Sequence, residues 1–362
     1  MVQTGNTIGL SRDLIIHPGE TLAEIIEDRG MTQRELAIRT GVTEKHISTV
    51  VNGLKGISAS FAKRLEYALG IESSFWMNLQ ANYERELCDY EEINSVTEEE
   101  KGILKNLNEV CGKWSKYGWI EENADQVKTV MRFRSVIGIS DLRDIPKIPY
   151  ISSCIAKSKN CDADPYIVAA WLQMCNRLIA EKGVTRQYNE ELLLRKINEI
   201  KSVMFENEDE ILNILTSKFA ECGITFVVVP YFTGAPVFGS VSKCENGTAT
   251  ICLALEKMYA DVFWYALFRE ISFIMNGDVK RTFIDFESEK GSAEDSADRF
   301  ANDLMVDVNE YRAFVEMEGY KSSAQMAEFA RTQKVMEYIV RGRLIKDGLI
   351  PCADRVKYKW AI

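Results

Sequence analysis

Two threonines, Thr32 and Thr43, with Gly41 between them constrain the fold of this chain more than any other feature. Thr32 followed by Glu35 is the pattern of a reciprocal helix N-cap, in which the hydroxyl and the carboxylate each satisfy an orphan backbone N–H. Leu36 and Ala37 then carry a buried face toward Gly41. After a turn through Gly41-Val42, Thr43 caps another helix that faces Ile47, Val50 and Val51 inward and ends at Asn52-Gly53. Upstream, Leu22, Ile25 and Ile26 recur at three- and four-residue spacing and predict an amphipathic helix that stops near Arg29-Gly30. His17 precedes that helix and is expected to cap it locally. Phe75 and Trp76 are expected to pack the closing helices.

Two short helices joined by a glycine turn form the geometry that lays the second helix in a DNA major groove. Its outward residues are Thr43, Glu44, Lys45, His46, Ser48 and Thr49, side chains able to donate to or accept from base edges. The chain as a whole is acidic, with 44 basic against 54 acidic residues and a net charge of −10. Binding depends on the local field, however, and the stretch from Thr32 to Leu69 opposes the total. It holds Arg34, Arg39, Lys45, Lys55, Lys63 and Arg64 against Glu35, Glu44 and Glu66, an excess of three positive charges.

The segment TQRELAIRTGVTEKHISTVVNG, Thr32 to Gly53, resembles the Xre/Cro repressor helix-turn-helix, a lambda-repressor-like bundle. The preceding HPGETLAEIIEDRG and the following FWMNLQANYE are similar to the HigA subgroup of antitoxins. That resemblance implies that Gln33 and Arg34 contact phosphates, that Thr43, Lys45, His46 and Thr49 face bases, and that Asn52 and Lys55 hold the DNA backbone. Phosphate contacts set register and base contacts specify sequence. It further implies binding to the protein's own promoter and neutralisation of a HigB-like toxin.

An acidic run from Glu84 to Glu100, relieved by Arg85, marks a boundary near residues 90–97, although a solvated helix face would look similar. Domains are therefore expected over 1–92, 93–217 and 218–362. The middle region reads as helical, with breaks at Gly112, Gly118, Gly138 and the IPKIPY stretch, Ile145 to Tyr150. Pro165 opens a helix that Gly183 ends, with Trp171 and Met174 in its core face. The nine cysteines are odd in number, scattered and without a CxxC pair, so neither a disulfide framework nor a cysteine zinc site is suggested. With two histidines in all, His17 and His46, a three-histidine metal site or a histidine triad is hard to build. No apolar run reaches the roughly 18–20 residues of a membrane span, and the start lacks a secretory pattern, so a cytoplasmic protein is expected.

Beyond Lys218 the period changes. ITFVVV, Ile224 to Val229, reads as a buried strand, and VFGSVSK and TATICLAL flank Glu245-Asn246-Gly247 as a hairpin. A strongly apolar helix follows from about Tyr259 to Met275, with Gly277 as its stop. Its polar exceptions are Asp261, Arg269, Glu270 and Ser272, and a charge inside such a helix requires a partner. This order, followed by SAEDSADRFANDLMV, resembles the ImmA/IrrE metallopeptidase family, as does the closing VRGRLIKDGLIPCADRVKYKW. In that family the helix carries HExxH, with two zinc-binding histidines, and a later acidic segment supplies the third ligand. The aligned window here is Arg269 to Phe273: Glu270 remains, Arg269 and Phe273 stand at the ligand positions, and Glu294 keeps the place of the third ligand. Arginine offers donors only and phenylalanine has no lone pair, so the zinc motif is degenerate and no metal or other cofactor is expected. Arg269 is expected instead to pair with Glu294, and with Glu270, across the former site.

These readings give a mainly α chain with a small β-sheet, an α+β protein: a helix-turn-helix bundle, a helical middle and a C-terminal zincin-like domain. The expected function is a DNA-binding repressor of the antitoxin type, a homodimer without membrane contact, whose peptidase-like domain is a non-enzymatic sensor or partner-binding scaffold. The alternatives are a metallopeptidase cleaving a repressor or toxin, and a small-molecule-sensing regulator. The basic closing segment, with Arg341, Arg343, Lys346, Arg355, Lys357 and Lys359 against Asp347 and Asp354, offers further DNA or partner contacts, or simply a solvated surface.

Overall fold

The computed structural model describes residues 11–158, 162–255, 259–275, 282–286, 292–352 and 355–360. The chain divides into two compact units between Glu98 and Glu99. The acidic run is helical up to Ser95, a solvated helix face rather than a linker.

Unit one is a bundle of α1 (Pro18–Asp28), α2 (Gln33–Thr40), α3 (Glu44–Val51), α4 (Ala59–Leu69) and α5 (Ser73–Ser95). Leu22, Ile26, Leu36, Ile47, Val50, Phe61, Leu65 and Trp76 fill its core. Local side-chain caps set the starts of α1, α2 and α3. His17 Nδ1 accepts the Gly19 N–H at 2.9 Å, Thr32 Oγ1 accepts that of Glu35 at 3.1 Å and Thr43 Oγ1 that of His46 at 3.2 Å. The reciprocal half of the expected capping box is absent: the Glu35 carboxylate accepts from Arg39 instead, one turn on. Gly41 ends α2 in the left-handed conformation, φ +64°. Gly19 has a different reason for being glycine, since a Cβ there would lie 1.9 Å from the Val50 carbonyl oxygen. That close approach seats the start of α1 on the end of α3.

Unit two opens with α6 (Glu98–Asn106), α7 (Asn108–Lys116), α8 (Gln126–Ile137), α9 (Pro149–Lys157), α10 (Pro165–Lys182), α11 (Glu190–Ser202) and α12 (Glu208–Glu221). Gly112 lies inside α7 rather than breaking it. An exposed helical glycine costs about 1 kcal/mol, and burial of Val110 and Trp114 on either side outweighs that. A buried ion pair ties this region together: Arg134 donates to both Glu100 carboxylate oxygens, at 3.0 and 2.7 Å, and Glu100 also accepts the Leu142 N–H.

The sheet comprises β1 (Ile224–Pro230), β2 (Val237–Lys243), β3 (Ala249–Leu255) and β4 (Phe283–Phe286) in the order β1-β3-β2-β4. β1 runs parallel to β3, with Phe226 beside Ile251; β2 is antiparallel to β3 and to β4, with Ser240 between Cys252 and Ile284. The expected hairpin turn is present, with Gly247 at φ +83° and Asn246 accepting from Thr248. The apolar helix is α13 (Ala260–Met275); Gly277, its expected stop, lies outside the described residues. After β4 come α14 (Ser292–Met305), α15 (Val308–Glu316), α16 (Ser323–Thr332) and α17 (Glu337–Lys346). The helical region before β1 belongs to this unit and touches its sheet: α10 packs on β1, and the Asp164 N–H donates to the Gly234 carbonyl at 2.8 Å. The fold is mostly helical with a small mixed sheet.

The His17 cap predicts a pH dependence. Burial holds His17 below the usual histidine pKa, against a weaker opposing pull from Glu20, and only its neutral ring caps Gly19. A folded-state pKa below the unfolded one gives stability that is complete above about pH 6.5 and falls as pH drops through the folded value. His17→Ala should cost about 1 kcal/mol at pH 7.5 and less at pH 5, read as hydrogen-exchange protection of α1 after correction for intrinsic rates. An equal cost at both pH values would sink this account.

Candidate functional site

The exposed face of α2 and α3 carries the candidate nucleic-acid interface. The turn between the helices is held from outside: Arg64 of α4 donates to the carbonyls of Thr40, at 3.2 Å, and Gly41, at 3.0 Å, satisfying the C-terminal end of α2. Nothing local to the turn announces Arg64, more than twenty residues downstream. Gln33 and Arg34 open α2, the first half-buried and the second exposed. Thr43, Glu44 and Lys45 are exposed at the start of α3, where N-terminal residues of a reading helix meet base edges. Arg34 and Lys45 form no ion pair with a described residue.

The remaining predicted positions are more committed. Ser48 and Thr49 are half-buried; the Thr49 hydroxyl donates to the His46 carbonyl, and the Asn52 amide donates to the Ser48 carbonyl at 2.8 Å. His46 is not presented outward as expected. Its ring stands edge-on to Phe61 with centroids 4.8 Å apart, and its Nδ1 lies 3.3 Å from the Lys55 ammonium. Nε2 is buried without a partner among the described residues. Burial first, then Lys55 and Arg64, push its pKa down, so the neutral ring accepts from Lys55. His46 thus positions Lys55, whose N–H and that of Leu54 donate to the Thr49 carbonyl and curl the chain over the end of α3.

In unit two the structure gathers charge on α13. Arg269 is buried, and its guanidinium forms a fork on Asp285 of β4, with Nε–Oδ2 at 2.8 Å and Nη2–Oδ1 at 2.7 Å. Its remaining nitrogen pairs with Asp298 of α14. The expected pairing with Glu294 and Glu270 is therefore corrected. Glu294 is buried on the first turn of α14, and Asp298, one turn further along the same face, is what reaches Arg269. Glu270, next to Arg269 on the helix, points to another face, where its Oε1 would be 2.7 Å from a Cβ on Gly239. Both Glu270 oxygens are buried with no hydrogen-bond partner among the described residues. Desolvation, reinforced by Asp285 and opposed by Arg269, drives its pKa well above the usual carboxylate value and favours the neutral form. Phe273 is buried beside Phe283, ring centroids 4.6 Å apart.

Neither Arg269 nor Phe273 can ligate zinc. Arg269 spends its donors on two aspartates, and Phe273 supplies no lone pair. Among the described residues no group of three His, Cys, Asp or Glu side chains is placed to hold a metal ion. Asp285, which anchors Arg269, escapes sequence reasoning because β4 is four residues long and its partner lies on another element.

Residues 22–76 match the helix-turn-helix family. The chain is 32% identical over 84 residues to a protein described as virulence-associated protein I from Dichelobacter nodosus, a match that takes in 22% of this chain and 78% of that one. Among solved structures, the Pseudomonas aeruginosa antitoxin HigA with the higBA promoter is 34% identical over 20% of this chain and 80% of its own, with a TM-score of 0.20. An addiction module antidote protein of a HigA family from Coxiella burnetii is 30% identical over 23% of this chain and 95% of its own, with a TM-score of 0.21. Through its first unit, the chain belongs to the helix-turn-helix family.

Proposed function

We propose that the protein is a sequence-specific DNA-binding repressor of the HigA antitoxin type, acting as a homodimer at its own promoter, with a second unit that has no peptidase activity. The observation that carries the DNA-reading half is the α2–Gly41–α3 turn, locked by Arg64, which presents Arg34, Thr43 and Lys45 on the exposed face of an otherwise acidic chain. Paired half-sites one helical turn apart are the usual target of such dimers. Neutralisation of a HigB-like toxin is part of the same proposal and is tested by co-purification with the product of a neighbouring small reading frame.

Anisotropy titrations against the protein's own upstream region and a scrambled duplex test the reading. Lys45→Ala should cost ~1–3 kcal/mol on the specific duplex and relax the preference between the two. Arg34→Ala should weaken both alike and reduce the slope of log K against log salt by about 1, as expected for one lost phosphate contact. Equal affinity of the wild type for both duplexes would exclude sequence-specific repression.

For the second unit, we read Arg269 as an electrostatic stand-in for the absent ligand set: a fixed cation where two acidic elements converge. Glu270 is fully buried and desolvation favours its neutral form, which supports a role other than general base. Arg269→Ala should destabilise the unit by about 3–5 kcal/mol because it strands Asp285 in a buried site, and Asp285→Asn should also be costly. Glu294→Gln should change thermal stability much less. Loss of stability in Glu294→Gln but not in Asp285→Asn would reverse the assignment. Stoichiometric zinc with chelator-sensitive peptide cleavage by the purified protein would overturn the non-enzymatic reading.

A further inference from the structure

A cavity of about 250 Å³ lies between α13, the end of α14 and α17 in the second unit. Its walls are mainly apolar, formed by Phe238, Val262, Met305, Val306 and Ile339; Asp261, Tyr265 and Asn302 also line it, with three cations, Arg343, Lys346 and Arg355. Two of them have carboxylate partners. Arg355 Nη2 is 3.0 Å from Asp261 Oδ2, and Arg343 Nε is 3.6 Å from Asp347. Lys346 has none within ion-pair distance among the described residues. Its ammonium donates to the Tyr265 hydroxyl at 3.1 Å and lies 4.4 Å from the centroid of that ring. An ammonium has three N–H donors, and a phenol takes one. The Arg355 Nε–H is also buried without an acceptor among the described residues.

We propose that this cavity binds a small amphipathic monocarboxylate, its carboxylate held by Lys346 and its apolar body against Phe238, Val262 and Val306. Small-molecule sites combine mostly apolar walls with a few placed polar groups, which is the arrangement here. The charge count selects a monoanion: one cation lacks a counter-charge, and a dianionic phosphate would exceed it. The apolar walls select the body, since sugar-like hydroxyls placed against them would lose their hydrogen bonds to water without replacement. Although Lys346 is exposed at the cavity mouth, desolvation, with help from Arg343 and Arg269 and against Asp347, holds it below the usual lysine pKa, and a bound anion would favour its charged form. The site adjoins the Arg269 cluster and shares two side chains with it: the Phe238 ring lies beside Arg269, and the Tyr265 hydroxyl donates to Asp298 and accepts from Lys346. It is also independent of the DNA-reading proposal, and either can fail by experiment without affecting the other.

Isothermal titration of the full-length protein with octanoate, octanol and inorganic phosphate tests the site. Octanoate should bind saturably and at least about tenfold more tightly than octanol, and phosphate should not bind measurably. Lys346→Met should lose about tenfold or more for octanoate and leave octanol unchanged, while Lys346→Arg should keep most of the octanoate affinity. Val306→Trp, which fills the cavity, should abolish binding of both; circular dichroism checks its fold, and the Lys346 pair decides the matter if it does not fold. Equal affinity for octanoate and octanol, octanoate binding unchanged in Lys346→Met, preferential phosphate binding, or no saturable octanoate binding would each overturn the proposal.

Discussion

The second unit depends on one guanidinium. Arg269 sits in the middle of an apolar helix, where an isolated charge would be untenable, and its retention requires that acids be delivered from elsewhere in the chain. Asp285 arrives on β4, the last strand of the sheet, and Asp298 on α14. The pair on Asp285 is bidentate and buried, so it fixes orientation as well as position. Three consecutive elements, α13, β4 and α14, thereby meet at one side chain, and aromatic faces of Phe238, Tyr265 and Phe273 surround it at 5.2–5.7 Å. A cation over ring faces gains where a carboxylate would not, which supports Arg269 as the positive member of the cluster.

The first unit solves a different problem with backbone rather than charge. Helices α1 to α4 are short, 8–11 residues each and too short to be stable alone, and they hold by packing and by caps. Gly19 lets α1 approach the Val50 carbonyl, Gly41 turns the chain between α2 and α3, and Arg64 closes the carbonyls that the turn exposes. Gln80 of α5 adds a long-range tie by accepting the Ile57 N–H at 2.7 Å. These contacts spend the polar groups that face inward and leave Arg34 and Lys45 without ion-pair partners among the described residues.

What was legible in the sequence is what is local. Thr32, Thr43, Gly41 and the Asn246-Gly247 turn act within a few residues of themselves, and each sits where its chemistry demands. The apolar run of α13 was equally plain, because periodicity and length are read along one segment. Partnership was not legible. Arg269 plainly needed an acid, but Glu294, Glu270, Asp285 and Asp298 were all at hand, and only the path of β4 and the phase of α14 decide among them. His46 misled for a related reason: its place in the helix suggests an outward face, but Phe61 from the next helix offers an aromatic edge contact that draws the ring inward. Arg64 and Gln80 carry no local signal at all, since the groups they satisfy lie more than twenty residues away.

Glu270 shows why an isolated glutamate is weak support for a general-base reaction. Catalysis by a glutamate of this kind needs an ionised carboxylate within reach of a water or substrate proton. Here the carboxyl is fully buried and lies against Gly239, whose missing Cβ leaves it room. It has no hydrogen-bond partner among the described residues, and desolvation first, then Asp285, favours its neutral form. A buried carboxyl without described hydrogen-bond partners carries a desolvation cost that an apolar side chain of similar size would not, so packing alone does not account for a glutamate at this position.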